Sequence, residues 1–170
     1  MRYMNMVLLI VLLIAVAGLF VSSVEAAEYE WVDYDPQGRV HTFCHAVPKK
    51  WHVMGVTQGA GLSLQWFRNQ LGADAVTEAE EKGVDPYDFL IEEGMRASEG
   101  SEGLFWLPYL MGERTPHLDP QARGGWVGLT AKHTRADLIR SVIEGVSYSL
   151  KDCLSIVESL GVNVETVRVL

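Results

Sequence analysis

The pattern of apolar and polar positions after residue 34 predicts that a folded domain begins with two short strands. Residues 39–47 and 50–56 are rich in β-branched and aromatic residues, a composition typical of strands. The turn signal Asp-Pro-Gln-Gly at residues 35–38 precedes the first strand, and residues 48–50 suit a turn between the two. We therefore expect an antiparallel pair.

The apolar spacing then changes to that of helices. Residues 59–72 predict a helix that ends at Gly72, and its apolar face consists of Leu62, Trp66, Phe67 and Leu71. Residues 85–98 predict a second helix, with Asp85 as the N-cap and a proline at the first helical position. The solvated residues 77–85 between them are either helical or irregular.

The longest predicted helix begins at Thr134, because Asp137 three residues later completes a capping pattern, and it ends at Gly161. One continuous apolar face follows the cap: Ile139, Val142, Ile143, Val146, Leu150, Leu154, Val157 and Leu160. Residues 102–110 predict a buried strand, and residues 164–170 begin a last one. Because the chain stops inside that strand, we expect an incomplete domain with an unpaired sheet edge.

This order of elements predicts an α/β fold, in which ligand sites lie on loops at the ends of strands. Residues 1–26 form a separate hydrophobic leader, and residues 27–170 form the domain. Residues 6–21 are almost purely apolar and resemble a signal peptide, although they are short of the ~20 residues that span a bilayer. Contact with a membrane and burial inside the domain are both open for this segment.

Composition narrows the classes of function. The chain has 170 residues, 48% of them hydrophobic and 21% charged, which is typical of one globular domain. Its net charge of −8 argues against a nucleic-acid partner, because phosphate binding requires clustered Lys and Arg. The two cysteines do not make a disulfide scaffold.

The histidines of the predicted strand pair do not indicate a metal site. On a strand, His41 and His45 share a face with Phe43, whereas Cys44 points to the other face, so the geometry is poor for binding one shared ion. We interpret Cys44 as a small buried apolar residue, which is the usual role of a free cysteine.

Two segments carry candidate chemistry. The glycine turn at residues 59–61 lies between a strand and a helix, where free N–H groups accept an anion or a nucleotide; close packing of the helix is the alternative. The loop within residues 107–129 carries Glu113, Arg114, His117, Asp119 and Arg123. Its arginines are suited to phosphate and its carboxylates to a metal or a sugar hydroxyl, but mutual ion pairs that hold the loop in shape explain them equally well.

Residues 43–72 and 103–150 resemble the C-terminal domain of the FGGY carbohydrate kinases, most closely the xylulokinases. The second signature of that family runs through residues 124–129 and continues, after seven residues, at Asp137, Leu138 and residues 141–144. Every constrained position matches. The loop sequence Leu-Pro-Tyr-Leu-Met-Gly-Glu-Arg-Thr-Pro-His is the xylulokinase form, and the resemblance extends over about residues 35–170.

The resemblance implies an actin-like, ribonuclease-H-like ATPase domain that helps to transfer the γ-phosphate of ATP, with Mg²⁺, to D-xylulose or a related ketose or polyol. It places Gly61 and Gln65 at positions that contact the nucleotide. It also places the loop along the interdomain cleft, where Glu113, Arg114, Asp119 and Arg123 are candidates. The catalytic aspartate, phosphate loop and sugar site belong to the family's N-terminal domain, so the resemblance assigns this chain no catalytic residue and no metal ligand.

Two interpretations follow. The first is part of a cytoplasmic sugar kinase, with ATP and a sugar as partners, that is inactive alone. The second is a non-enzymatic module that keeps the fold and is tethered to a membrane through residues 6–21. A cytoplasmic location conflicts with the apolar leader, and the sequence leaves that conflict open.

Overall fold

The computed structural model describes residues 35–48 and 50–168. The predicted leader over residues 1–26 lies outside the described residues. Within the described ranges, no helix is both long enough and apolar enough to cross a membrane.

The predicted strand pair is present and antiparallel. Strand β1 (His41–Cys44) pairs with β2 (Trp51–Met54), with Phe43 opposite His52. The Phe43 and His52 rings stack with centroids 5.3 Å apart. Below the sheet, apolar residues of the strands pack against the last turns of the longest helix in a small core, formed by Val40, Val53, Ile156 and Val157.

Three helices follow the strand pair: α1 (Ala60–Leu71), α2 (Ala73–Lys82) and α3 (Pro86–Gly94). Gly72 ends α1 as predicted, since its N–H donates to the Arg68 carbonyl at 3.2 Å, and α2 begins at the next residue. The solvated segment is therefore helical up to Lys82. Asp85 is the predicted cap of α3, and its carboxylate accepts from the Tyr87 N–H at 2.9 Å.

The longest helix, α4 (Arg135–Ser159), has the predicted start and nearly the predicted end. The Thr134 N–H and hydroxyl both donate to one Asp137 carboxylate oxygen at 2.7 Å, and these two bonds lower the pKa of Asp137. Gly161 takes a positive φ of 83° just after the helix, which a glycine adopts without steric cost.

The remaining strands differ from the prediction. Strand β3 (Phe105–Leu107) has three residues, and only Trp106 is buried, because Phe105 on the opposite face is 53% exposed. Its antiparallel partner is β4 (Gly125–Val127), at the far end of the loop, which the sequence pattern did not predict. The predicted last strand is wrong within the described residues: residues 162–168 form no regular structure and pair with no described strand. An extended segment needs a hydrogen-bonding neighbour to become a strand.

Three tryptophans join the hairpin of β3 and β4 to the helices. The Trp106 and Trp126 ring centroids lie 4.6 Å apart, and Trp66 of α1 lies 5.7 Å from Trp106. The Trp106 N–H donates to the Ser63 hydroxyl of α1, and the Trp126 N–H donates to the Ser141 hydroxyl of α4, both at 3.0 Å. The Trp106 and Trp126 indoles thus satisfy their polar atoms while packing their rings against the helices.

The β3 backbone approaches two helices at glycines. A Cβ atom on Gly145, midway along α4, would overlap the Trp106 carbonyl oxygen, and a Cβ atom on Gly59, at the start of α1, would overlap the Pro108 carbonyl oxygen. Residues 106–108 therefore lie between two helices at a distance that only glycine permits.

Cys153 of α4 is buried and lies under the segment that follows β2. A Cβ atom on Gly55 would come within 2.9 Å of the Cys153 Cβ. Burial, reinforced by the negative charge of Glu113, raises the pKa of Cys153 to about 12. Cys44, by contrast, is exposed, so our interpretation of Cys44 as a buried apolar residue is wrong: its face of β1 is not covered by described residues.

We expect Gly145→Ala to lower the free energy of unfolding by about 1–3 kcal/mol, because the added methyl meets a fixed backbone carbonyl. The steric cost of the methyl should exceed the ~1 kcal/mol that alanine contributes through its higher helix propensity. Thermal or urea unfolding would measure it, with Ser155→Ala on the exposed face of α4 as the control. Unchanged or higher stability for Gly145→Ala would contradict the close approach.

The two cysteines should differ in reactivity. A thiol-specific reagent at pH 8 should modify Cys44 rapidly, whereas Cys153, with its pKa near 12, should react only after unfolding. Counting modified thiols before and after adding guanidinium chloride checks this expectation. Modification of both cysteines in the folded protein would show that Cys153 is accessible.

Candidate functional site

The loop between β3 and β4, residues 108–124, folds back onto the segment that leads from β2 into α1. Within the loop, Glu113 and Asp119 exchange two backbone hydrogen bonds of 2.9 Å, which close its middle into a compact turn. The Arg114 carbonyl accepts from the Leu118 N–H at 2.6 Å inside this turn. Backbone hydrogen bonds within the loop therefore fix the shape of its middle part, independently of its contacts with other segments.

The Glu113 carboxylate joins the loop to the segment before α1. Glu113 is 3% exposed, and three groups donate to it: the Thr57 hydroxyl at 2.8 Å, the Gln58 N–H at 2.9 Å and the Arg114 N–H at 2.8 Å. The Thr57 hydroxyl in turn accepts from the Ser149 hydroxyl of α4 at 2.9 Å. A buried carboxylate needs such donors to offset its lost hydration.

Thr115 makes a second connection beside the first. Its N–H donates to the Val56 carbonyl at 2.9 Å, and its hydroxyl accepts from the Val56 N–H at 3.0 Å. The same hydroxyl donates to the Arg39 carbonyl at 2.5 Å. Arg39 is held by Asp35, and hydrogen bonds from its side chain and N–H lower the pKa of Asp35 to about 2. The loop is thereby attached to the start of β1 as well as to the end of β2.

Ion pairs between the loop arginines and carboxylates, one of the two explanations from the sequence, are not formed. The Arg123 guanidinium donates to the carbonyls of Pro120 and Ala122 and to the Gln121 side chain. The Asp119 carboxylate accepts from the Gln121 N–H at 2.7 Å. Among the described residues, no side chain pairs with the Arg114 guanidinium, which is exposed. The loop is shaped by bonds to backbone groups instead.

Arg114 lines a pocket of about 240 Å³ on the outer side of this connection. The other lining residues are Gln58, Met111, Glu113, Leu118 and Pro120. Met111 is 69% exposed and Leu118 is 46% exposed, so the pocket offers apolar surface next to one free cation. Arg123 and Asp119, two of the four loop candidates, do not line it.

Gln58, the residue before the glycine turn, lines this pocket, whereas residues 59–61 and Gln65 do not. In the turn, Gly59 makes the close contact with Pro108, and its carbonyl accepts from the Ser63 N–H at 2.9 Å. Gly61 is exposed, and so is Gln65 one helical turn later. No side chain caps the first turn of α1. Close packing therefore explains Gly59 and leaves Gly61 and Gln65 facing outwards.

The described residues contain no group of three His, Cys, Asp or Glu side chains that could hold a metal ion. Glu113, the one buried carboxylate beside the pocket, is already bound by three protein donors. Burial raises the pKa of Tyr109, and the negative charge of Glu113 raises it further. Tyr109 bonds with the exposed His117 at 3.0 Å.

Signature residues contribute to the framework rather than to the pocket. Trp126 bonds to Ser141, and Asp137 caps α4. The Glu144 carboxylate accepts from the Gly100 N–H and the Ser101 hydroxyl at 3.1 Å, and from the Arg140 guanidinium at 2.8 Å. These bonds fix the connection between α3 and β3, where Ser101 takes a positive φ of 47°.

Sequence reasoning missed Thr57, Gln58 and Thr115 at this site. Each acts through a bond to a group more than 50 residues away in the chain. Hydroxyl and backbone groups of this kind have no spacing that marks them in a sequence. Only the glycine turn and the charged loop gave a local signal.

Comparison with known proteins gives a consistent result. The C-terminal domain of the FGGY family of carbohydrate kinases matches residues 26–170. The xylulose kinase of Escherichia coli is 37% identical over 156 residues, which cover 92% of this chain and 30% of that protein. The gluconokinase of Bacillus subtilis is 39% identical over 117 residues, or 68% of this chain and 22% of that protein.

The fold agrees with these sequence relatives. The crystal structure of xylulose kinase from Bifidobacterium adolescentis superimposes with a TM-score of 0.62 at 31% identity, over 77% of this chain and 23% of that one. The chain thus spans less than a third of the length of each of these three proteins.

Proposed function

The chain belongs to the FGGY family of carbohydrate kinases, and we propose that it forms part of the nucleotide half of an ATP-dependent sugar kinase resembling xylulokinase. Relatives named xylulose kinase favour D-xylulose or a related ketose or polyol as the phosphate acceptor. A protein named gluconokinase is also similar to this chain, so the family resemblance alone supports a sugar kinase more broadly than it supports one acceptor.

The observation that carries the proposal is the exposed turn at the start of α1. Gly61 and Gln65 are exposed, and the first-turn N–H groups have no capping side chain. Such N–H groups and the positive end of the helix dipole attract phosphate. Gly61 lets a ligand approach the backbone, and the Gln65 amide offers both a donor and an acceptor.

Among the four loop candidates, Arg114 is the one available to a ligand. Arg114 lines the pocket, no described side chain pairs with its guanidinium, and guanidinium groups bind phosphate through two parallel hydrogen bonds. Glu113 is bound by the protein, while Asp119 and Arg123 are bound within the loop. We infer that Arg114 contacts a phosphate and that the other three residues shape the loop.

Phosphoryl transfer depends mainly on positioning and on stabilising charge. In this proposal the first turn of α1 orients the nucleotide, and Arg114 neutralises part of the phosphate charge. Mg²⁺ would accompany the phosphates of ATP, and the described residues supply no cluster of carboxylates to hold it.

The location follows from the same proposal. An ATP-dependent sugar kinase uses a cytoplasmic nucleotide pool, so we propose the cytoplasm, with residues 27–170 as the domain. Residues 1–26 would then be a leader whose residues 6–21 can contact a membrane.

We expect the 170-residue chain alone to release no ADP when it is incubated with ATP, Mg²⁺ and D-xylulose. The physical reason is that a second substrate must be held in line with the γ-phosphate, and positioning supplies much of the rate enhancement. A coupled ADP assay against a no-protein blank measures the rate. ADP release that depends on D-xylulose would show that the chain holds a complete active site.

Gln65→Ala should weaken MgATP binding by about fivefold, because it removes polar contacts worth on the order of 1 kcal/mol. Gly61→Val should weaken binding sterically, since its side chain occupies the space of the ligand. The measurement is MgATP affinity, together with the melting temperature, in a full-length relative that carries the same residues. Sugar affinity in both variants serves as the internal control and should change little.

Lower melting temperature with unchanged MgATP affinity would assign these two residues to packing instead. Unchanged affinity in Gln65→Ala would by itself remove Gln65 from the nucleotide site.

A further inference from the structure

We propose that Glu113 is a positioning residue that holds the glycine turn and the cleft loop in one fixed geometry without contacting the ligand. The cleft loop here means residues 108–124, and the glycine turn means residues 59–61. The inference rests on the proposed nucleotide function for its effect on binding. Its structural content, one carboxylate that fixes two segments of the site, stands apart from that function.

The two carboxylate oxygens of Glu113 have different hydrogen-bond donors. Oε1 accepts from the Gln58 N–H at 2.9 Å and from the Arg114 N–H at 2.8 Å, so one atom bonds both segments. Within the described part of the chain, Oε2 accepts only from the Thr57 hydroxyl, at 2.8 Å. Any displacement of the carboxylate would move Gln58 and Arg114 together.

On the side of the turn, Gln58 directly precedes Gly59, which is pressed against the Pro108 carbonyl. The Gly59 carbonyl accepts the first hydrogen bonds of α1, from the N–H and the hydroxyl of Ser63. The position of the Gln58 N–H therefore sets the direction in which the first turn of α1 leaves the strand. That direction determines where Gly61 and Gln65 face.

On the side of the loop, the Arg114 N–H is bound by Oε1, and the Arg114 carbonyl accepts from Leu118. The backbone at Arg114 is thus fixed at both of its polar groups. The guanidinium itself pairs with no described side chain, and Arg114 lines the pocket. Fixing the backbone restricts the volume that the guanidinium reaches, which is the use of a positioning contact.

The arrangement also explains why a glutamine should serve almost as well as the glutamate. A glutamine keeps an Oε1 acceptor for both N–H groups. Its amide N–H would face the Thr57 oxygen, and the Thr57 hydroxyl could then turn to donate to Ser149, its present donor. A direct ligand role would behave differently, because a carboxylate that bound a metal or repelled phosphate would be altered by loss of its charge.

The test uses the full 170-residue chain and three readouts: MgATP affinity, amide hydrogen exchange and melting temperature. The variants are Glu113→Ala, which removes all three bonds, and Glu113→Gln, which keeps the shared acceptor. Ser141→Ala is the control for stability, because it removes a bond to Trp126 on the far side of the hairpin. Glu92→Gln is the control for charge, because Glu92 lies exposed on α3.

We expect Glu113→Ala to raise the MgATP dissociation constant by about tenfold or more, with Glu113→Gln within about threefold of the unaltered chain. Amide exchange should accelerate in Glu113→Ala at Ser63, beyond the turn, and at Leu118 and Asp119, within the loop. Neither control variant should show this paired effect, even where Ser141→Ala lowers the melting temperature as much.

Three results would overturn the inference: equal loss of affinity in Glu113→Gln and Glu113→Ala, faster exchange in only one of the two segments, or the same paired effect in Ser141→Ala. If the unaltered chain binds no MgATP, the proposed nucleotide function of this chain fails. Amide exchange alone then tests the inference: exchange in Glu113→Ala should accelerate both beyond the turn and within the loop.

Discussion

The structure depends on the close approach of one short stretch of backbone to two helices. The carbonyls of Trp106 and Pro108 lie against Gly145 of α4 and Gly59 of α1, where no other residue fits without displacement. Because β3 is held in this way, the loop that follows it starts at a defined point beside the glycine turn. The tryptophan cluster, the pocket and the Glu113 connection are all arranged around that point.

The buried polar groups of the site are bonded by backbone and hydroxyl groups rather than by opposite charges. In a chain with a net charge of −8, pairing the loop carboxylates with loop arginines would be the simplest arrangement. The protein instead satisfies Glu113 and Thr115 with backbone and hydroxyl groups from distant segments. Such bonds are directional and are buried from solvent, so they define geometry better than exposed ion pairs do. They also leave the Arg114 guanidinium without a partner among the residues that the structure describes.

The elements that the sequence predicted well are those with local determinants. Asp85 and Thr134 cap helices through neighbours two or three residues away, and Gly72 ends a helix through its own turn. The α/β class followed from these elements, and the signature residues identified the family. The glycine turn and the charged loop were recognisable by composition alone.

The elements that the sequence could not predict depend on distant partners. Strand β4 forms because β3 offers it a hydrogen-bonding edge, and the nearest paired residues, Leu107 and Gly125, are 18 positions apart in the chain. A strand of three residues is too short for its sequence pattern to predict it. Residues 164–168 have the composition of a strand but no described neighbour to pair with. The division of roles within the loop, in which Glu113 is bound and Arg114 is free, was invisible for the same reason.

The tryptophan cluster gives the protein an optical property. Trp66 follows Gln65 in α1, and its ring lies 5.7 Å from that of Trp106 and 6.1 Å from that of Trp126. Indoles at such distances couple their electronic transitions, so their near-ultraviolet circular dichroism depends on mutual orientation. A small rotation of α1 against the hairpin would therefore alter the spectrum without any added label. The fold therefore carries an intrinsic reporter of the orientation of α1 relative to the hairpin.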